Sequence, residues 1–283
     1  ANMKKCFMLL VVCATMGTCF AQIHDKADFR EQIVAATDSL SEEQKEVLFS
    51  LFEDMMISRV DSVKNEGRFM QALELTDSML AKAKTMMGRN PSPRMYITKM
   101  IILMQLEEWR DLIKTTEECL SIHRETANDR ITAQVYSMQG NAHRNLDEYQ
   151  EAIRSYENGA YYFNKIANNE GNGNMLCNMA YCYMKLTKHS TAFSLYKKGI
   201  DKYLEYFGTT RSALLKKDLV VNDSYEQTVL SVFSYHLLDL ALFEQKYGSS
   251  LKFEEYLLMS AHCGNTNVKS AYQRVDGDKQ WDW

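Results

Sequence analysis

The chain has 283 residues, enough for one extended array or two compact domains, and its two prolines all but remove the commonest helix breaker. With 46% hydrophobic residues and a bias toward Leu, Met, Ala, Glu, Lys and Gln, the composition excludes disorder and points to an all-α fold with a real core. A net charge of -4, with basic residues only in short pairs such as Lys197-Lys198 and Lys216-Lys217, excludes nucleic acid as the expected partner, because phosphate binding needs a concentrated Lys/Arg surface.

In chain order, residues 1–21 read as a secretory signal. Ala1 and Asn2 precede Met3 and read as appended residues; Met3-Lys4-Lys5 is a basic start, Cys6 to Met16 an apolar run, and Cys19-Phe20-Ala21 a small-residue cleavage site ahead of Gln22. The run is too short to span a bilayer, and a first helix buried in the fold is the other reading. A lipid attachment would use Cys19, but Met16-Gly17-Thr18-Cys19 lacks the early Leu, and the Gly or Ala before the cysteine, of a lipobox. The expectation is an exported protein, periplasmic or envelope-associated, with no integral span once the signal is removed. Cys119, Cys177, Cys182 and Cys263 lie outside the leader, too scattered for a small disulfide scaffold. They read as small apolar core residues, with pairing between two of them left open.

Residues 22–40 are expected to form an N-terminal helix, and from 41 the chain repeats with a period of forty. Phe69, Trp109, Tyr149 and His189 form one column; Ala72, Leu112, Ala152 and Ala192 lie three residues on, and Leu73, Ile113, Ile153 and Phe193 come next. These offsets define one face of a helix, and a second stripe upstream (Met56, Tyr96, Tyr136, Leu176; Val60, Met100, Gly140, Ala180) makes each unit a helix hairpin. Ser41-Glu42-Glu43-Gln44 predicts a capping box, Ser92-Pro93 a proline at a first helical position, Asn65-Glu66-Gly67 a helix stop, and Asp147 with Gln150 a D-x-x-Q helix start.

Tyr136-Ser137-Met138-Gln139-Gly140-Asn141-Ala142 followed by Tyr149-Gln150-Glu151-Ala152-Ile153-Arg154-Ser155-Tyr156 resembles a tetratricopeptide repeat (TPR), and Leu176 to Ile200 is a second match with Ala180 where glycine is usual. The resemblance implies a right-handed α-solenoid of stacked antiparallel helix hairpins over residues 41–205. Small Gly140, Ala152 and Ala180 would let helices cross closely, and Tyr149 and Tyr156 would fill the gaps. The family's period is about thirty-four residues, so the extra residues must lengthen second helices or linkers, at stretches such as Tyr161 to Gly173.

The register breaks at an insertion over 206–224 bearing Leu214, Leu215 and Leu219. A C-terminal hairpin and capping helix follow over 225–275, with Ser260 to Asn265 through Ala271-Tyr272 faintly similar to a Sel1-like ending, and then a mobile tail at 276–283. The resemblance further implies a protein or peptide partner on the concave face, with Arg94, Gln134, Ser137, Asn141, Arg144, Asn145, Asn174, Asn178, Tyr181 and Lys185 as binding residues. Asparagine suits that task because its amide both donates and accepts. A clamp for a C-terminal carboxylate fits poorly, since Ser137 stands where it needs lysine. No HExxH, Gly-rich phosphate loop or G-x-S-x-G occurs, and the histidines are dispersed, with His143 and His189 in packing columns. No cofactor, metal or catalytic site is expected. An adaptor or scaffold is the first reading, a structural subunit of an envelope assembly the second, and an enzyme the least favoured; oligomeric state is open.

Overall fold

The computed structural model describes residues 41–87, 90–123, 128–248 and 250–264, and all regular structure among them is helical. The expected leader, the helix at 22–40, the Sel1-like segment beyond Gly264 and the tail at 276–283 lie outside the described residues. The chain divides into two compact units between Glu108 and Trp109.

The first unit contains α1 (Glu42–Asn65), α2 (Phe69–Met87) and α3 (Pro93–Gln105). Ser41 and Gln44 form the expected reciprocal capping box at the start of α1. Pro93 opens α3 at a position whose N–H would have no helical partner; the Ser92 side chain does not cap it. Instead the Ser92 N–H donates to Glu53 Oε1 at 2.9 Å and ties this start to α1. Phe49, Met56, Val60, Ala72, Met79, Met95 and Ile102 meet in one core, with Met56, Val60 and Ala72 from columns the periodicity marked.

The second unit contains α4 (Trp109–His123), α5 (Asp129–Asn145), α6 (Tyr149–Lys165), α7 (Asn169–Lys185), α8 (His189–Phe207), the short α9 (Arg211–Leu215), α10 (Ser224–Tyr247) and α11 (Ser250–His262). Each of α4 to α7 packs along the next. Helices α5, α6 and α7 are 17 residues each and are joined by three-residue turns. The period of forty is therefore twice a twenty-residue unit of helix plus turn. The Tyr161 to Gly173 stretch is no linker: Tyr161 to Lys165 ends α6 and Asn169 to Gly173 opens α7, so first and second helices lengthen alike.

One turn geometry recurs throughout. Gly67, Glu107, Asp147, Ala167, Thr187, Gly208 and Lys217 all have φ between 52° and 77°. Each donates its N–H to the carbonyl three residues back, and the following residue donates to the carbonyl five back, as Thr187 does to Met184 and Lys188 to Tyr183. This Schellman closure satisfies the orphan carbonyls of the helix end. Only Gly67 and Gly208 carry the residue type that favours φ above zero. Asp147 is thus a left-handed turn residue rather than the helix cap expected from D-x-x-Q; Glu148 takes the N-cap position, with no side-chain cap bond.

Close crossing shows at two glycines. A Cβ on Gly140 would lie 2.5 Å from Tyr156 Cε1, and one on Gly199 would lie 2.5 Å from Cys177 Sγ and 2.9 Å from the Gly173 carbonyl. Tyr156, Ala152 and Ala180 are fully buried, as the repeat logic implied. Tyr149 is instead half-buried at the turn, its hydroxyl donating to Asp147 Oδ1. Helix α8 runs to Phe207, so the register breaks at Gly208. The inserted α9 packs on α11, with Arg211 bonding Asp201 at 2.9 Å and the Tyr256 hydroxyl at 3.2 Å. Beyond it α10 packs against α7 and α8 and pairs with α11, around Phe233, Leu237, Leu240, Phe243, Tyr256 and Met259.

Candidate functional site

In the second unit the first helices α5 and α7 bring the expected binding residues together. Residues three and four apart share a helix face. Ser137, Asn141 and Arg144 therefore form one stripe on α5, and Asn174, Asn178, Tyr181 and Lys185 another on α7. Arg144 Nη1 donates to Asn178 Oδ1 at 2.7 Å, Asn178 Nδ2 donates to Asn174 Oδ1 at 3.0 Å, and His236 Nε2 of α10 donates to the same oxygen at 3.0 Å. The Tyr156 hydroxyl donates to Asn141 Oδ1 at 2.8 Å from below.

The network changes what each residue is available to do. Asn178 is 5% exposed and both ends of its amide are engaged, so it holds Arg144 rather than facing solvent. Asn141 keeps its amide nitrogen for an outside acceptor. Gln134, Asn145 and Lys185 are exposed, and Ser137, Tyr181 and Arg144 half-buried. Arg144 and Lys185 lie over the Tyr181 ring at 5.6 and 5.3 Å, contacts worth about 0.5 to 1 kcal/mol each when exposed. Arg94, the remaining expected residue, belongs to the first unit, where it pairs with Asp54 at 2.8 Å on an exposed surface.

The charges around this network are unbalanced. Burial first, and the Arg144 charge second, hold His236 down to about 3, so it is a neutral hydrogen-bond donor at neutral pH. Burial pushes the Asp239 carboxyl up to about 6 while Arg144 pulls it the other way. Asp239 sits one turn along α10 from His236, and it bonds no cation among the described residues. Arg144 likewise bonds no carboxylate there.

Sequence reasoning placed a helix hairpin from 225 but gave its first helix, α10, no part in the site. Its exposed stripe contains Val232 (37% exposed), Tyr235 (51%), the half-buried Asp239 and Leu242 (40%), while the rest of the helix between Val229 and Glu244 is largely buried. The 3–4 spacing of 232, 235, 239 and 242 was present in the sequence, but the insertion shifts these residues out of the forty-residue register. The histidines also divide. His143 Nδ1 is bonded to Glu148 at 2.7 Å, which holds that carboxyl below its usual range, whereas half-buried His189 stacks on Tyr247 at 4.0 Å, its shielded Nδ1 without a hydrogen-bond partner among the described residues. Cys119, Cys177, Cys182 and Cys263 are buried free thiols in the structure, and burial raises all four.

No family model matches the chain, and no curated protein does. Solved structures do. BtubC (BKLC) from P. vanneervenii is 13% identical, with a TM-score of 0.58 over 92% of this chain and 97% of that one. The TPR-like repeats of the Podosopora anserina putative kinesin light chain are 16% identical, with a TM-score of 0.54 over 78% of this chain and 96% of that one. A Pyrococcus horikoshii STAND protein with a tetratricopeptide-repeat sensor, PH0952, is 11% identical, with a TM-score of 0.53; the match covers 97% of this chain and 44% of that one. The fold is a TPR-like helical-repeat solenoid.

Proposed function

We propose that the protein is a helical-repeat adaptor or scaffold that binds another polypeptide on the first-helix face of its second unit. One observation carries the reading: α5, α7 and α10 present Ser137, Asn141, Arg144, Tyr181, Lys185 and the Tyr235–Leu242 stripe side by side, polar and apolar, with no further described helix packed over them. A solvated helix surface needs neither a buried amide relay nor an arginine held over a tyrosine ring. The TPR-like fold supports the reading, since stacked hairpins of this kind are built around an extended binding face.

The chemistry favours binding over turnover. Among the described residues no group of three or more His, Cys, Asp or Glu side chains could hold a metal, and the strongly shifted His236 is committed to Asn174. Export through a cleaved signal, to a periplasmic or envelope location, belongs to the same proposal and rests on the Met3 to Ala21 pattern. No helix of the described residues is long and apolar enough to cross a membrane.

A photo-crosslinking side chain at Ser137, with the same group at Lys198 on α8 as control, tests the reading in cells that make the protein. The expected result is a discrete cross-linked partner at Ser137 and none at Lys198. Capture at Lys198 alone would place binding on the second helices and overturn it. Mass spectrometry of the mature protein tests export, with Gln22 the expected first residue and retention of Met3 the contrary result.

A further inference from the structure

Helix α1 carries two apolar faces, and one of them is open. Phe49, Met56 and Val60 turn into the core of the first unit, whereas Val47, Leu51 and Met55, spaced four residues apart on another face, do not: the first two are exposed and the third is half-buried at the edge of the core. Met55 departs from its own column. Forty, eighty and one hundred and twenty residues on, Met95, Val135 and Met175 are all buried. In α7 the cover comes from the second helix that precedes it. An added Cβ on Gly159 of α6 would lie 3.0 Å from Met175 Sδ, and one on Gly171 would lie 2.5 Å from Phe163 Cδ1. Among the described residues no helix precedes α1 to play that part.

The chain just ahead of α1 matches the missing cover in residue type. Phe29 and Ile33 stand forty residues before Phe69 and Leu73, in the columns of the second helices, and with Ala36 they have the spacing of one helix face. The α6–α7 pair shows how such helices align. Its left-handed residue Ala167 stands two residues before α7, and the touching pairs lie at equal distances from it: Phe163 and Gly171 four residues either side, Gly159 and Met175 eight either side. Gly67, Asp147 and Thr187 likewise stand two residues before the helices they introduce.

We infer that the segment 29–39 folds back on α1 as a second helix, through a turn centred on Leu40, two residues before Glu42. The same alignment then sets Ile33 against Val47, seven residues either side of the turn, and Phe29 against Leu51, eleven either side, with Met55 beyond. The first unit thereby ends in a cap made from its own chain. Two arguments favour this segment over a second copy of the protein. It is tethered by a turn of about three residues, so closure costs little loop entropy, whereas association costs translational and rotational freedom. The open stripe is also only three side chains long, well short of the about 800 Å² per partner that a stable complex buries. The inference stands whether or not the second unit binds a polypeptide.

A benzophenone side chain in place of Leu51 tests it in the full chain, with the same group in place of Met70, an exposed residue of α2, as comparison. Irradiation followed by peptide mapping is expected to join position 51 to residues 29–39 of the same chain, and to show no such link from position 70. Ile33→Asn is expected to lower the yield at least about tenfold, the weight of one buried isoleucine, whereas Glu31→Asn, on the far side of the same helix, leaves it unchanged. Val47→Asn removes the partner of Ile33 from the α1 side and is expected to lower the yield comparably, so the test holds even where Ile33→Asn fails to fold. A link from position 51 to a second copy, recognised by mixing isotopically heavy and light protein, would assign the face to dimerisation and overturn the inference. Absence of a link to 29–39, an equal yield from position 70, or an unchanged yield in both Ile33→Asn and Val47→Asn would overturn it as well.

Discussion

Replacing Gly140 with alanine sets two opposed effects against each other. In a helix interior alanine is favoured over glycine by about 1 kcal/mol. Gly140, however, is buried in α5, and the added methyl would stand 2.5 and 2.6 Å from Tyr156 Cε1 and Cδ1. Tyr156 cannot step aside freely. It is fully buried, and its hydroxyl is bonded to Asn141 one residue along from the glycine. Overpacking costs about 1 to 3 kcal/mol, and loosening the hydroxyl bond about 1 kcal/mol more, so against the gain of about 1 kcal/mol the net expectation is a loss of about 1 to 3 kcal/mol. For a unit of this size that is a fall of roughly 2 to 12 °C in melting temperature. Thermal and urea denaturation followed by circular dichroism measure it. In a Tyr156→Leu background, where the ring is gone, the same Gly140→Ala change should become stabilising. A rise in melting temperature for Gly140→Ala in the otherwise native protein would refute the proposed packing of α5 on α6.

The turns make a prediction of opposite sign. Thr187 holds φ of 60° with a β-branched side chain, so Thr187→Gly should stabilise by about 1 kcal/mol in urea unfolding, and a destabilised variant would count against that turn. The Asp239 carboxyl is raised by burial from 3.8 to about 6, so its proton binds the native state more tightly; its contribution falls as pH rises through that window and stays low above it. His236 acts oppositely over an overlapping range, being lowered from 6.5 to about 3, so it adds stability as pH rises. The difference between Asp239→Asn and the native protein isolates the first effect: the variant should gain melting temperature relative to the native protein between about pH 4 and 7, and parallel profiles would rule the shift out. In a chain beginning at Gln22, Cys119, Cys177, Cys182 and Cys263 should react with a disulfide reagent only after denaturation, since their thiols are buried and raised; rapid reaction of any one in the native protein would contradict its placement.

Much of the fold could be read from residue types because apolar periodicity reports burial directly. Columns through Ala72, Ala152, Ala192 and Tyr156 repeat every forty residues because every hairpin must bury the same face. The turns were less legible. Four of the left-handed positions, Glu107, Ala167, Thr187 and Lys217, carry residues with no local preference for positive φ, so nothing in the residue type announces the turn. Asp147 misled differently: a residue type common both at helix caps and at left-handed turn positions stood one position away from the cap. The division after Glu108 left no composition shift to read. At the candidate site, Arg144, Asn178 and Tyr181 were reached by carrying a face pattern across. The burial of Asn178 was not, because it depends on His236 and α10, brought back onto α7 after an insertion that breaks the period.

On the proposed reading the first-helix face of the second unit, and not the second-helix face, receives the partner. Single cysteines at Ser137, Lys185 and Lys198 measure it in a chain beginning at Gln22, whose four native cysteines are buried. The first two should label quickly in the free protein and be protected when the partner captured at Ser137 is added, with Lys198→Cys labelling equally in both states. Protection of the Lys198 position with none at Ser137 or Lys185 would contradict it.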